Sequence, residues 1–213
     1  MRLAAVSRHL RPAAGEATPR LPIVDVHTHF YDPSRTDGVP WPSAAEPLLF
    51  RTVLPDDFLE IAGPCGVTAT VVVEASPRYE DNVWVLAQAE RNRCIVGLCG
   101  SVAPNRPEFA AEIRALARSP LFRGIRIGAP PADLAPGSLW WTDMALMAEL
   151  DLQVDLIVEP SLESYAPFLE LAERTPNLRS ELQYKWPISP NLNCRKNGEF
   201  PMKNDDFPLE NGH

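Results

Sequence analysis

Lysine is missing from the first 179 residues of this chain, which hold 16 arginines and 24 alanines. Alanine is missing from the other 34, which hold all three lysines (Lys185, Lys196, Lys203) and one arginine. At the rate of the body, 34 residues would carry roughly four to five alanines. A bias that reverses at one point speaks to origin before structure. It marks 180–213 as a foreign-looking tail, expected to be disordered, behind a body at 21–179. Other absences exclude whole classes. The four cysteines (Cys65, Cys94, Cys99, Cys194) form no CxxC and no Cys/His zinc spacing, which points to a reduced, cytoplasmic setting. No run approaches 18 apolar residues, so no membrane partner is expected. A net charge of −8 argues against a nucleic-acid partner. No GxGxxG or GxxxxGK[ST] loop is present. Residues 1–20 carry Arg2, Arg8, Arg11 and Arg20 but no apolar core of signal-peptide length, and they read as an unstructured extension.

What the body does contain is alternation. Short, β-branched apolar runs fall at 22–28, 67–74, 94–102, 122–127 and 152–158, with helix-period segments near 56–63, 80–92, 107–118, 142–150 and 164–175. In the third helix Phe109, Ile113, Leu116 and Ala117 form one apolar stripe; in the fifth, Phe168, Leu169 and Ala172 are expected to face inward. Five βα units in a row mean an α/β fold with a parallel sheet. A doubly wound sheet and a (β/α)8 TIM barrel compete. The barrel is preferred because the chemistry-bearing residues fall at the C-terminal ends of the strands, where barrels place their sites. A full barrel takes about 250 residues and eight units. The expected fold is therefore an incomplete TIM barrel, with no sixth strand after Arg179.

The residues at those strand ends are few. His27 and His29 stand at i, i+2 behind Ile23, Val24 and Val26, which read as a buried strand, so both rings should share a face. Such a pair suits metal chelation or the grip of an anionic substrate; the plain alternative is a chance pair on a solvent-facing edge. Glu74 ends the run Val71-Val72-Val73 as a possible third metal ligand or substrate contact, or as a loop or capping carboxylate. Arg126 could clamp a substrate carboxylate bidentately or pair with a neighbouring acid. Glu159, beside Pro160, is a further substrate-contact candidate. Asp25 could orient an imidazole or occupy a deeper layer. Trp41 and Trp140-Trp141 could wall a pocket or cover helix edges. The stretch 32–47, with four prolines, would be lid-like over a real site.

Several of these segments together resemble the amidohydrolase-related TIM-barrel proteins, in the branch that contains sugar-lactone and pyrone-dicarboxylate lactonases. They are Asp25-Val26-His27-Thr28-His29-Phe30, Val71 to Ser76, Glu80-Asp81-Asn82 with Trp84, Ile95-Val96-Gly97, and Phe122-Arg123-Gly124-Ile125-Arg126. The resemblance covers roughly 21–179. It implies hydrolysis of a lactone or similar carbonyl substrate by activated water. It makes His27 and His29 the family's first-strand pair, which holds a divalent metal (zinc or manganese) or touches substrate. It also implies a histidine closing a sixth strand and an aspartate base closing an eighth, and neither position is found in this sequence.

The resulting expectation is a lactone hydrolase, impaired by truncation or frameshift. A non-catalytic remnant or a partner-completed interaction protein is the alternative, with self-association possible through exposed barrel edges. A phosphoesterase of the PHP type would need more metal-ligating histidines than the four present. If the tail is foreign, brief trypsin treatment should trim at Arg195, Lys196 or Lys203 well before Arg114 or Arg126. Equal protection of both regions by mass spectrometry would refute that reading.

Overall fold

Six parallel strands form one sheet in which every strand neighbours its successor in sequence. The computed structural model describes residues 22–74, 76–128, 134–158 and 162–184, with only the backbone described at 162–166 and 182–184. The elements run β1 (Ile23–Thr28), α1 (Pro55–Ala62), β2 (Val67–Val73), α2 (Tyr79–Arg91), β3 (Ile95–Gly100), α3 (Phe109–Leu116), β4 (Phe122–Ile127), α4 (Leu139–Glu149), β5 (Gln153–Val158), α5 (Leu162–Arg174) and β6 (Arg179–Tyr184). A doubly wound sheet reverses its strand order at a switch point. This order never reverses, so the sheet is an incomplete TIM barrel.

Local chemistry starts and stops these elements. Pro55 occupies the first turn of α1, and Asp57 accepts a hydrogen bond from the Leu54 amide at 2.8 Å. Ser138 caps α4 by accepting from the Trp140 amide at 3.1 Å. The stripe on α3 is buried at Phe109, Ile113 and Leu116.

Side-chain alternation separates two faces. On β5, Val154, Leu156 and Val158 enter the apolar core with Ile113 of α3 and Met144 and Met147 of α4. Gln153, Asp155 and Ile157 take the opposite face. That face is concave. Cys99 on β3 donates to Asp155 on β5 at 3.2 Å across the intervening β4, where Gly124 pairs with Cys99 and presents no side chain to separate them.

Strand β4 carries the register shift that matters most for the site. Leu98 pairs with Phe122 but Cys99 with Gly124, so one extra residue is accommodated. Phe122, Ile125 and Ile127 all reach the helix-side core. A strict two-residue period could not bury both Phe122 and Ile125 there. The bulge at Arg123-Gly124 therefore turns Arg126 to the concave side.

Four expectations are corrected. A sixth strand does follow Arg179: β6 pairs with β5 from Arg179 opposite Gln153 to Tyr184 opposite Val158. Main-chain bonds carry this pairing, and a strand at the edge of the sheet, as β6 is among the described residues, tolerates Arg179 and Glu181 where a central one would not. β1 is not buried: Ile23, Val24 and Val26 are 49 %, 44 % and 68 % exposed. Its far edge pairs with no strand among the described residues. On α5 the inward residues are Phe168 and Leu171, whereas Leu169 and Ala172 face solvent. Trp140 and Trp141 lie in α4, not on a loop. Trp140 is fully buried, and the Arg174 guanidinium stacks on Trp141 at 4.3 Å. Glu159 and the segment 185–213 lie outside the described residues.

A Cβ at Gly124 would sit 1.9 Å from the Gln153 carbonyl oxygen, and neither backbone can yield without parting β4 from β5. Gly124→Ala should cost about 3 kcal/mol, the upper end of overpacking penalties, read as a lowered urea midpoint. An unchanged midpoint would show that the bulge is soft.

Candidate functional site

The C-terminal ends of the strands meet at one rim, and a cleft of about 390 Å³ opens there. His29, Trp41, Glu74, Ser76, Ser101 and Arg126 line it. His29 follows the last residue of β1. Its Nδ1 lies 2.6 Å from the Val73 carbonyl oxygen. A carbonyl only accepts, so Nδ1 carries the proton and Nε2 of the neutral ring keeps a free lone pair. The His27 and His29 rings stand edge to face, 5.1 Å between centroids.

Both imidazoles are held below their ordinary pKa. For His29 desolvation by burial leads, the bond to Val73 opposes it, and His27 and Arg126 add to the lowering. His27 reaches solvent, yet desolvation again leads, followed by Arg126, against the raising fields of Asp155, Asp25 and Glu181. Those acids stand on β5, β1 and β6, so the concave face brings distant strands to bear on one ring. Neutral imidazoles with an open nitrogen suit metal ligation.

The other sequence-picked residues behave differently. Glu74 is buried and accepts from the Ser76 amide at 2.8 Å. No three His, Cys, Asp or Glu side chains among the described residues group as a metal cage. Glu74 is thus brought to the cleft but not into a three-ligand set with the histidine pair. Arg126 is half-buried and lines the cleft, and its Nε is buried with no hydrogen-bond partner among the described residues. Cys99 lies deeper, its thiol pushed up by burial and by Asp155, and is chemically quiet.

Sequence reasoning underrated three contributors. Trp41 packs edge-on against His29 and Tyr31 with centroids 5.5 and 5.4 Å apart, and so walls the cleft. Ser101 is placed by Asn82, whose side chain donates to the Ser101 carbonyl and accepts from its amide, both at 2.8 Å. Gly100 is needed beside it, since a Cβ there would lie 2.3 Å from Asn82 Oδ1. Ser76 links Glu74 to α2. The Asp81-Asn82 pair was visible as a motif, but its targets are distant in sequence.

The sequence model of the family described as Amidohydrolase matches residues 24–187. The chain belongs to the amidohydrolase family. By family it is a hydrolase. It is 30% identical over 200 residues to an L-fucono-1,5-lactonase of Burkholderia ambifaria, an overlap covering 82% of this chain and 67% of that protein. An amidohydrolase from Burkholderia multivorans, solved with bound zinc, superposes with a TM-score of 0.54 at 18% identity, over 75% of this chain and 69% of that one. A probable 2-pyrone-4,6-dicarboxylic acid hydrolase from Acinetobacter baumannii, solved with citric acid, gives 0.54 at 15% identity, over 77% and 58% of the two chains. At those identities the structural likeness speaks to the fold. Among the described residues no helix is long and apolar enough to cross a membrane.

The lowered pKa values fix a sign for pH dependence. Unfolded, both histidines bind protons near 6.5; folded, they bind them only at lower pH. Their contribution to stability is present above 6.5 and is lost as pH falls through the folded values. The urea midpoint should therefore drop on acidification below 6.5, and His29→Gln should flatten that slope. A slope unchanged by the substitution would place the titration elsewhere.

Proposed function

We propose that the site serves a lactone hydrolase and binds a small carbonyl substrate in the cleft between Trp41 and Arg126. The observation that carries this reading is the meeting, in one cleft, of a neutral His29, the Arg126 guanidinium and a buried Glu74 at the ends of three separate strands. The 30% identity to a sugar lactonase supports the substrate class. Arg126 would hold a carboxylate or the ester oxygens, Glu74 would contact the ring hydroxyls, and Glu159 is kept as a further contact outside the described residues.

His27 and His29 would hold a divalent ion, zinc or manganese, supplying two of the four ligands that a zinc site takes. When bound, such an ion polarises a carbonyl and lowers the pKa of water. Water attack also needs a base and a stabilised oxyanion. The resemblance assigns part of that work to a histidine at the end of the sixth strand, but no histidine occurs between Arg179 and Gly212. Apart from His27 and His29 the chain has only His9 and His213. We therefore propose that binding is retained and hydrolysis impaired.

A second reading is favoured by one observation. The β1 residues Ile23, Val24 and Val26, with Ile61 of α1 at 72 % exposure, leave an apolar margin on the sheet. A partner or a second copy could complete the site there.

One assay separates these readings. The purified 213-residue chain, with zinc or manganese, should bind a sugar 1,5-lactone or its aldonate product, seen as a change in tryptophan fluorescence that Arg126→Ala weakens about tenfold. It should hydrolyse the lactone no faster than His27→Ala. Absence of binding at millimolar ligand would overturn the lactone reading. Turnover well above the control would overturn the impairment, and turnover rising more steeply than protein concentration would favour the second copy.

A further inference from the structure

The loop between β1 and α1 is tied down at its far end by a charge cluster outside the cleft. At its neck, Tyr31 and Val53 exchange backbone bonds of 3.1 and 2.9 Å, and Asp32 accepts from Thr52 at 2.8 Å. Farther along, Arg78, just before α2, reaches across with Nη1 to the Asp37 carbonyl at 2.9 Å and Nη2 to the Gly38 carbonyl at 2.8 Å. Its Nε donates to Asp81 at 3.0 Å. Arg35, from the loop itself, pairs with the other Asp81 oxygen at 2.7 Å and lies 4.8 Å over the Trp84 ring. One buried carboxylate on α2 thus anchors two guanidiniums, one belonging to the loop and one gripping its backbone.

The same carboxylate reaches the other wall of the cleft. The Ser76 side chain lies close enough to Asp81 to help hold its carboxyl down and accepts from the Arg78 amide at 3.1 Å, and the Ser76 amide donates to Glu74. Trp41 lies three residues beyond the Gly38 anchor and packs on His29. Asp81 itself does not line the main cleft. Burial pushes its carboxyl up, but Ser76, Arg35 and Arg78 outweigh this and keep it below its ordinary value.

From this we infer that Asp81 is a positioning residue: with Arg35 and Arg78 it latches the 32–54 loop to α2, fixing Trp41 against His29 while Ser76 fixes Glu74 opposite. The loop is then a standing wall of the cleft, not the lid that its length and prolines suggest. Arg78 is required as arginine, because a lysine ammonium offers no planar fork to hold Asp81 and two carbonyls at once. The inference rests on the geometry of the cleft and holds whether or not the ligand is a lactone.

The test uses no substrate. The full chain is labelled with 5-fluorotryptophan, and the signals of Trp41 and Trp140 are assigned by Trp41→Phe and Trp140→Phe. In Asp81→Asn and in Arg78→Lys the Trp41 fluorine signal should move, and its solvent isotope shift should rise toward that of the free amino acid. The signal of buried Trp140 should stay in place. A Trp41 signal unmoved in both variants, with Trp140 intact, would overturn the latch and leave the neck at Tyr31–Val53 as what holds the loop. Should Asp81→Asn disturb Trp140 as well, Arg78→Lys decides, since Arg78 is about one-third exposed and outside the apolar core.

Discussion

Each strand pairs in parallel with its immediate successor, and the site depends on that pairing rule. Parallel strands joined by helices point the same way, so six C-terminal ends collect on one rim and the helices stay on one face. His29 after β1, Glu74 after β2, Ser101 after β3 and Gly128 after β4 are separated by dozens of residues, yet they open onto the same space. The opposite face of the sheet is filled by Leu98, Ile125, Leu156 and the helix residues packed against them. Polar groups are left with the concave side, and they are found there: Asp155 takes bonds from Cys99 and from Gln153.

A single extra residue in β4 decides which charge faces that space. A one-residue slip exchanges the two faces of a strand. Without the shift between Leu98 and Cys99, a strand that buries Phe122 would send Arg126 into the apolar layer and Ile125 toward the cleft. An unpaired guanidinium in the helix-side core would cost far more than a bulge. The close fit of Gly124 against the Gln153 backbone is what this insertion demands. The motif Phe-x-Gly-Ile-Arg is thus a small device: a core aromatic, a bulge, a core aliphatic and an inward cation.

Much of the fold was legible because periodicity and capping are local. The five βα units, the α3 stripe and the shared rim for the histidine pair all follow from spacing in the sequence. β6 was not legible: Arg-Ser-Glu-Leu-Gln-Tyr offers no apolar run, and main-chain pairing with β5 supplies what its side chains do not. The change in composition at 180 also falls inside that strand, and the family match runs on to 187. The exposure of β1 was illegible for the converse reason. Ile23, Val24 and Val26 show that the strand suits burial, but whether anything covers it is a property of its neighbours. The tryptophan pair misled because flanking Gly137 drew it toward a loop, while Ser138 caps a helix that begins one residue before Trp140. In the site, the cleft-lining ends were readable, and the latch that holds them was not. Arg35, Arg78 and Asp81 are separated by up to 46 positions, and each resembles an ordinary surface charge until the fold brings them together.

The electrostatics of the concave face constrain what it can hold. Around His27 stand Asp25, Asp155 and Glu181, with Arg126 as the opposing cation. Three acids against one base would ordinarily favour a protonated imidazole. Both histidines are instead biased toward the neutral form, because desolvation leads and Arg126 is the largest of the charges acting on His27. The rings are therefore kept as acceptors inside an acid-rich field. A proton satisfies only part of that field, and at the expense of the lone pair that the bond from His29 to Val73 leaves open. A divalent cation uses the lone pairs and the negative surroundings together. The cleft itself is lined by one carboxylate, Glu74, and one guanidinium, Arg126. The cation proposed for the histidine pair would therefore sit on the β1 side of the cleft, and the negative charge proposed for a substrate on the β4 side, beside Arg126.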